Sequence, residues 1–144
     1  MAGEIVLGYD GEPGSRVALQ TAVAIAGAFK RPLVIAFGYA PAAIGGDVAD
    51  LSKVVQEIGA KITDEAVKIA HDVDASVVVQ VELVNDRPAE AILRAADQFE
   101  ALAVVVGAAG GRGPIAGALL GSVTYQVVHR SKRPVVVVPS PEVA

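Results

Sequence analysis

Short apolar runs alternate along the chain with longer segments in which apolar residues recur every three or four positions. The runs predict β-strands, and two of them, residues 103–106 and 135–138, are nearly unbroken in valine, as is typical of parallel strands covered on both faces. Residues 76–84 include Gln80 and Glu82 among valines, so we expect this strand nearer an edge of the sheet. The predicted strands are residues 5–9, 33–39, 76–84, 103–106 and 135–138.

The segments with a three- and four-residue period predict amphipathic helices between the strands. One begins at Pro88, and proline is favourable at a first helical position because its missing amide has no partner to lose there. The alternation predicts a three-layer α/β/α fold, with a doubly wound, mainly parallel sheet joined by right-handed crossovers. The predicted helices are residues 15–29, 48–72, 88–100 and 119–130.

Composition and charge narrow the class of protein. The 144 residues fit one domain, 1–144, and with 53% hydrophobic but only 4% aromatic residues the core is expected to consist of Val, Ala, Leu and Ile. A net charge of −4 without long runs of one sign argues against a nucleic-acid partner. The lack of cysteine excludes disulfides, zinc–thiolate sites and thiol nucleophiles. Without a secretory signal or an apolar run of about 18 residues, we expect a cytoplasmic protein with no membrane partner.

Two loops that follow predicted strands carry the candidate chemistry. Ligands of open parallel sheets bind beyond the carboxyl ends of the strands, where the direction of winding reverses. One loop, residues 9–15, contains Asp10, and the other has five glycines within residues 107–117. If the first and fourth strands are neighbours, these two loops flank one crevice.

The glycine-rich loop leads to Gly121 and Ser122 at the opening of a helix. Glycine lets backbone amides approach a ligand, and the first turn of a helix offers free N–H groups, so a phosphate chain is the natural ligand there. For a glycine-rich loop alone, a plain surface turn is an equally good interpretation. The sequence has neither the Gly-Lys-Ser/Thr of a Walker loop nor the GxGxxG of dinucleotide folds.

Other polar residues leave alternatives open. Asp10 can accept a hydrogen bond from an adenine amino group or a ribose hydroxyl, or it can close a turn with its own backbone. Arg112, the cation inside the glycine loop, can lie over the phosphates or simply be solvated. His71 and His129 have no neighbours at ligand spacing, so we predict no metal site. The serines have no evident His–Asp partners and no Gly-x-Ser-x-Gly elbow, so we predict no catalytic residues.

From end to end, the chain resembles the universal stress proteins. The matching features are the opening strand with Asp10, the loop from Gly107 into residues 121–123, and the closing residues 133–139. The resemblance implies a five-stranded parallel sheet of the adenine nucleotide alpha hydrolase type, with strand order 3-2-1-4-5. It also implies an ATP-type ligand and a homodimer.

The glycine loop departs from the family motif by one residue. Nucleotide-binding members carry Gly-x2-Gly-x9-Gly-Ser/Thr, whereas here the pair Gly107 and Gly110 leaves ten residues before Gly121. The extra residue is either absorbed as a bulge or deforms the phosphate cradle. By resemblance, the site consists of Asp10 for adenine or ribose, Gly38 for adenine, Gly107 for ribose, and Gly110 or Gly111 with Gly121, Ser122 and the Val123 amide for the phosphates.

The expected function is a regulatory role in the stress response through binding of ATP, or of AMP, ADP or cAMP, with Mg²⁺ entering only with the nucleotide. The alternative within the family is a homodimer that binds no nucleotide and acts through protein partners. A weak ATPase and a cyclic-nucleotide binder are further alternatives. Dimerisation is expected through Val135–Val138, because an uncharged strand at a sheet edge can pair with another chain.

Overall fold

The computed structural model describes residues 3–39, 48–108 and 120–139. Strands and helices alternate in the predicted order. Along the chain they are β1 (Ile5–Gly8), α1 (Pro13–Phe29), β2 (Leu33–Gly38), α2 (Val48–Val73), β3 (Val79–Val84), α3 (Pro88–Gln98), β4 (Ala103–Gly107), α4 (Ser122–Arg130) and β5 (Val135–Val138).

The strands form a five-stranded parallel sheet in the order β3-β2-β1-β4-β5. This arrangement confirms the predicted strand order and the doubly wound topology. It also confirms the expected position of β3 at an edge, and β5 occupies the opposite edge. The chain winds outward from β1 through β2 to β3, and then returns to place β4 on the other side of β1, so the winding direction reverses between β1 and β4.

Each face of the sheet carries its own hydrophobic layer. The side chains of Ile5 and Leu7 pack with α1 and α2 on one face, and that of Val6 packs with α3 and α4 on the other. All three are fully buried, as expected for a central parallel strand covered on both faces. The three-layer α/β/α architecture is therefore confirmed, and among the described residues the buried hydrophobic side chains are aliphatic except for Tyr9.

Several element boundaries differ from the predicted ones by one to three residues, and local features explain two of these differences here. Helix α1 starts at Pro13, two residues before the predicted start, because Pro13 and Gly14 form its first turn without contributing to the apolar period. Strand β3 starts at Val79 instead of residue 76. The Asp74 carboxylate accepts hydrogen bonds from the amide and the hydroxyl of Ser76, at 3.0 and 2.6 Å, and so closes a turn before the strand begins.

Candidate functional site

The ends of β1 and β4 bring the two predicted loops together. These strands pair in parallel from Ile5 opposite Ala103 to Leu7 opposite Val105, so both loops leave the same edge of the sheet. A Cβ atom added to Gly107 would lie 3.0 Å from the carbonyl oxygen of Gly14. A side chain at position 107 would therefore push against the backbone of the first loop, and glycine permits this close approach.

The Asp10 carboxylate is held within its own loop. Its Oδ1 accepts hydrogen bonds from the Glu12 amide at 2.8 Å and from the Ser15 hydroxyl at 2.7 Å, and neither bond uses Oδ2. Gly11 has a φ of +82°, in the left-handed region that glycine adopts readily, which allows the chain to turn back toward Ser15. Asp10 thus closes a turn, and its side chain remains exposed at the edge of the sheet.

The end of β4 is hydrogen-bonded to the start of α4. The Thr124 hydroxyl donates to the carbonyl oxygen of Gly107, and the Gly121 amide donates to that of Ala108 at 3.1 Å. Helix α4 begins at Ser122 rather than at the predicted residue 119, because Gly121 is extended, with φ −63° and ψ 153°. These bonds place the amino end of α4 beside Gly107, at the same edge as Asp10.

The amino end of α4 has the features of an anion site. Its N-cap residue is Gly121, which has no side chain to accept hydrogen bonds from the amides of the first turn. Ser122 is exposed, and its hydroxyl oxygen lies 3.3 Å from the amide nitrogen of the Gln126 side chain. Because unpaired N–H groups and the helix dipole both favour negative charge, this end of α4 suits a phosphate.

The remaining predicted site residues divide into two groups. Gly38 ends β2, and a Cβ atom added to it would lie 2.8 Å from the Cα of Pro88. A side chain at this position would therefore clash with the start of α3, and Gly38 can offer a ligand only its backbone. Gly110, Gly111 and Arg112 lie outside the described residues.

Sequence reasoning missed a buried phenol beside Asp10. Tyr9 is 5% exposed, and burial raises its pKa, although a hydrogen bond and the charge of Arg16 act in the opposite direction. Arg16 also pairs with Glu65 of α2 at 3.4 Å. The three side chains connect the first turn of α1 to α2. A local pattern does not reveal them, because Glu65 is far from Tyr9 in the sequence.

A second ion pair connects the helices on the opposite face. The two terminal guanidinium nitrogens of Arg130, Nη1 and Nη2, donate to the two carboxylate oxygens of Glu90, which joins α4 to α3. This hydrogen bonding lowers the pKa of Glu90 and raises that of Arg130. The pair is exposed, so its main effect is to set the direction of α4 rather than to stabilise the fold strongly.

Two surface hollows of about 190 and 230 Å³ lie at the amino ends of the strands, on the side of the sheet opposite the candidate site. One lies where α3 and α4 end, beside Lys132, and the other where α1 ends, beside Lys30. Neither includes a residue of the two loops. Among the described residues, no cluster of His, Cys, Asp and Glu suitable for a metal ion is found.

Comparison with known proteins identifies the family. The sequence model of the universal stress protein family matches residues 1–139. Universal stress protein Rv1636 of Mycobacterium tuberculosis is 35% identical over 140 residues, covering 93% of this chain and 94% of the relative. The chain belongs to the universal stress protein family. This membership confirms the resemblance that the sequence suggested.

Solved structures agree with this assignment. A universal stress protein crystallised in complex with cAMP is 32% identical, with a TM-score of 0.74 over 97% of this chain and 99% of that one. UspA from Lactobacillus plantarum, at 24% identity, has a TM-score of 0.78 over 96% of this chain and 99% of its own, which shows the shared fold. Within the part of the chain that the structure describes, none of the helices has the length and hydrophobicity needed to cross a membrane.

We predict that Thr124→Val lowers the free energy of unfolding by about 1–2 kcal/mol, because it removes the donor to the Gly107 carbonyl while keeping the side-chain volume. Urea unfolding measures the change. Thr63→Val is the matched control: Thr63 is also buried, but the Gly59 carbonyl that it contacts already has a helical partner, so a much smaller loss is expected. Equal losses at both positions would contradict the proposed fastening of α4.

We predict that the free energy of unfolding falls as the pH rises above about 10, and falls less steeply in Tyr9→Phe. The raised pKa of Tyr9 means that the unfolded chain releases this proton at a lower pH than the folded protein does. The contribution of the buried phenol to the free energy of unfolding is therefore complete below the pKa of Tyr9 in the unfolded chain. It is lost as the pH rises through the pKa of Tyr9 in the folded protein. Urea unfolding between pH 9 and 11 tests this, and parallel profiles for the two proteins would contradict it.

Proposed function

We propose that this protein is a regulatory universal stress protein of one domain, 1–144, which binds ATP or a related adenine nucleotide in the stress response. The ligand would lie between the Asp10 loop and the amino end of α4. The observation that supports the proposal is the close approach of Gly107 to Gly14, because it brings the loop that contains Asp10 next to the end of β4, to which the start of α4 is hydrogen-bonded.

The charges of this edge favour one orientation of a nucleotide. The Asp10 carboxylate repels phosphate oxygens but accepts hydrogen bonds from neutral donors such as a ribose hydroxyl or an adenine amino group. The start of α4 attracts anions through its amides and its dipole. A nucleotide with its nucleoside at Asp10 and its phosphates at Ser122 and Val123 satisfies both ends.

Other residues complete this arrangement in the proposal. Gly107 would lie against the ribose, and Gly38 would offer backbone to adenine. Gly110 or Gly111, with Gly121, would approach the phosphates, and Arg112 would add positive charge. Mg²⁺ would enter with the nucleotide phosphates, since the chain itself supplies no metal ligands in this proposal.

The cyclic nucleotide cAMP is a second candidate ligand. It is supported by the relative of 32% identity that was crystallised with cAMP. Compared with ATP, a cyclic monophosphate places one negative charge at the start of α4, and it needs fewer donors from the lengthened glycine loop. Slow ATP hydrolysis is the enzymatic alternative, and a dimer that binds no nucleotide is the alternative if the extra residue closes the cradle.

We predict that ATP or cAMP binds the wild-type protein and that Asp10→Asn weakens the binding about tenfold, because it replaces a charged acceptor by a neutral one. Isothermal titration measures both affinities. Asp97→Asn removes an equal charge from the far end of α3 and should leave the affinity unchanged. If neither nucleotide binds the wild type at millimolar concentration, the proposed function is wrong.

Dimerisation in the cytoplasm through β5 is the second part of the proposal. Strand β5 pairs with β4 on one side and ends the sheet on the other. The carbonyls of Pro134 and Val138 accept hydrogen bonds from β4, so by alternation the backbone N–H and C=O of Val135 and Val137 point to the open edge. An edge of this kind can pair with a second copy of the chain.

We predict a mass in light scattering of about twice the 14.6 kDa of one chain. Val137→Pro removes a backbone donor from the open edge and leaves the pairing with β4 in place, so it should yield the monomer mass with the circular dichroism of the wild type. A wild-type mass of one chain, or a dimeric Val137→Pro, would contradict dimerisation through this edge.

A further inference from the structure

The hydroxyl of Ser15 is buried, yet it contacts a carboxylate. Ser15 lies in the first turn of α1 and is 8% exposed. Its Oγ is 2.7 Å from Oδ1 of Asp10. The buried hydroxyls of Thr63 and Thr124 donate to backbone carbonyls instead. A hydroxyl that donates to an ionised acceptor forms a stronger and more directional bond than one that donates to a neutral carbonyl.

Two hydrogen bonds hold one oxygen of this carboxylate. Oδ1 of Asp10 accepts from the Ser15 hydroxyl at 2.7 Å and from the Glu12 amide at 2.8 Å, which restricts the direction of the carboxyl group. The donors belong to the N-cap residue and the first turn of α1, so they hold the carboxyl group relative to the helix. Oδ2 takes part in neither bond and, within the described part of the chain, accepts no other hydrogen bond, so it can accept one from a donor outside the loop.

Ser15 also lies next to the end of β4. A Cβ atom added to Gly107 would be 3.0 Å from the Gly14 carbonyl oxygen and 3.6 Å from the Ser15 amide nitrogen. The Ser15–Asp10 pair is therefore beside Gly107, the first residue of the glycine-rich loop. A change in the direction of the Asp10 carboxylate would alter the side of the site that faces Gly107.

We infer that Ser15 is a positioning residue for the nucleotide: it holds the Asp10 carboxylate so that Oδ2 accepts a hydrogen bond from one neutral donor of the ligand, a ribose hydroxyl or the adenine amino group. Ser15 itself does not touch the ligand. This inference rests on the proposed function. It differs from a purely structural role, in which the Ser15 hydroxyl, 3.0 Å from the Glu12 carbonyl oxygen, would only support the first turn of α1.

The test compares Ser15→Ala with the wild type by isothermal titration. The probes are ATP and three analogues that each lack one donor: 2′-deoxy-ATP, 3′-deoxy-ATP and ITP. If the wild type binds cAMP alone, cAMP is compared with its 2′-deoxy and inosine forms. Ser15→Ala should weaken binding of the parent nucleotide about tenfold. The analogue that lacks the donor paired with Asp10 should be bound equally by both proteins, and the others should show the full loss.

Two further variants separate positioning from a general loosening of the fold. Ser131→Ala removes a hydroxyl that bonds the backbone of Arg133 at the opposite edge, and it should change no affinity. In an Asp10→Ala background, Ser15→Ala should cause no further loss, because a residue that acts through Asp10 has nothing left to position.

Several outcomes would overturn the inference. If Ser15→Ala binds all probes as the wild type does, Ser15 positions nothing that the ligand uses. If it weakens all probes equally, or adds its full effect in the Asp10→Ala background, its role is structural. Each of these results leaves the proposed function standing, because the wild type still binds. If the wild type binds neither ATP nor cAMP, the proposed function fails and this inference fails with it.

Discussion

The parallel pairing of β1 with β4 is the constraint on which the candidate site depends. It places residues from the two halves of the sheet at one edge, at the point where the winding direction reverses. The approach of Gly107 to the backbone of Gly14 is a direct result, and it is possible because Gly107 has no Cβ. If β4 were one position further from β1, the acceptor at Asp10 and the donors at α4 would face different crevices.

The two helices that begin at these strand ends, α1 and α4, are linked to different elements of the fold. Helix α1 is linked to α2 through Tyr9, Arg16 and Glu65, on one face of the sheet. On the other face, α4 is linked to β4 by the Thr124 hydroxyl and to α3 by the pairing of Glu90 with Arg130. The acceptor side and the anion side of the site are thus held independently. A rigid scaffold of this kind positions loops that vary in sequence.

The sequence predicted the architecture well because hydrophobic periodicity reports burial directly. Valine-rich runs identified β4 and β5, and polar residues within residues 76–84 identified an edge strand. Boundaries were less predictable where a local side chain decided them, as the Asp74 turn does before β3. Asp10 and Gly107 were predicted as site residues because each follows a predicted strand. Ser15 was predicted as the start of a helix and as a serine without a catalytic partner, but its bond to Asp10 was not predicted, since the direction of its hydroxyl depends on how the loop folds back.

Hydrogen bonds anchor both ends of the glycine loop, which contains one residue more than the family motif. On one side, the Ala108 amide donates to the Val138 carbonyl at 2.8 Å, and on the other, the Gly121 amide donates to Ala108. These anchors and the Thr124 bond belong to the sheet and to α4, so they do not depend on the number of residues between them. Lengthening a loop by one residue adds only a small entropic cost to closing it. The amino end of α4 therefore keeps its place beside Gly107, and the departure from the family motif concerns the segment between these anchors.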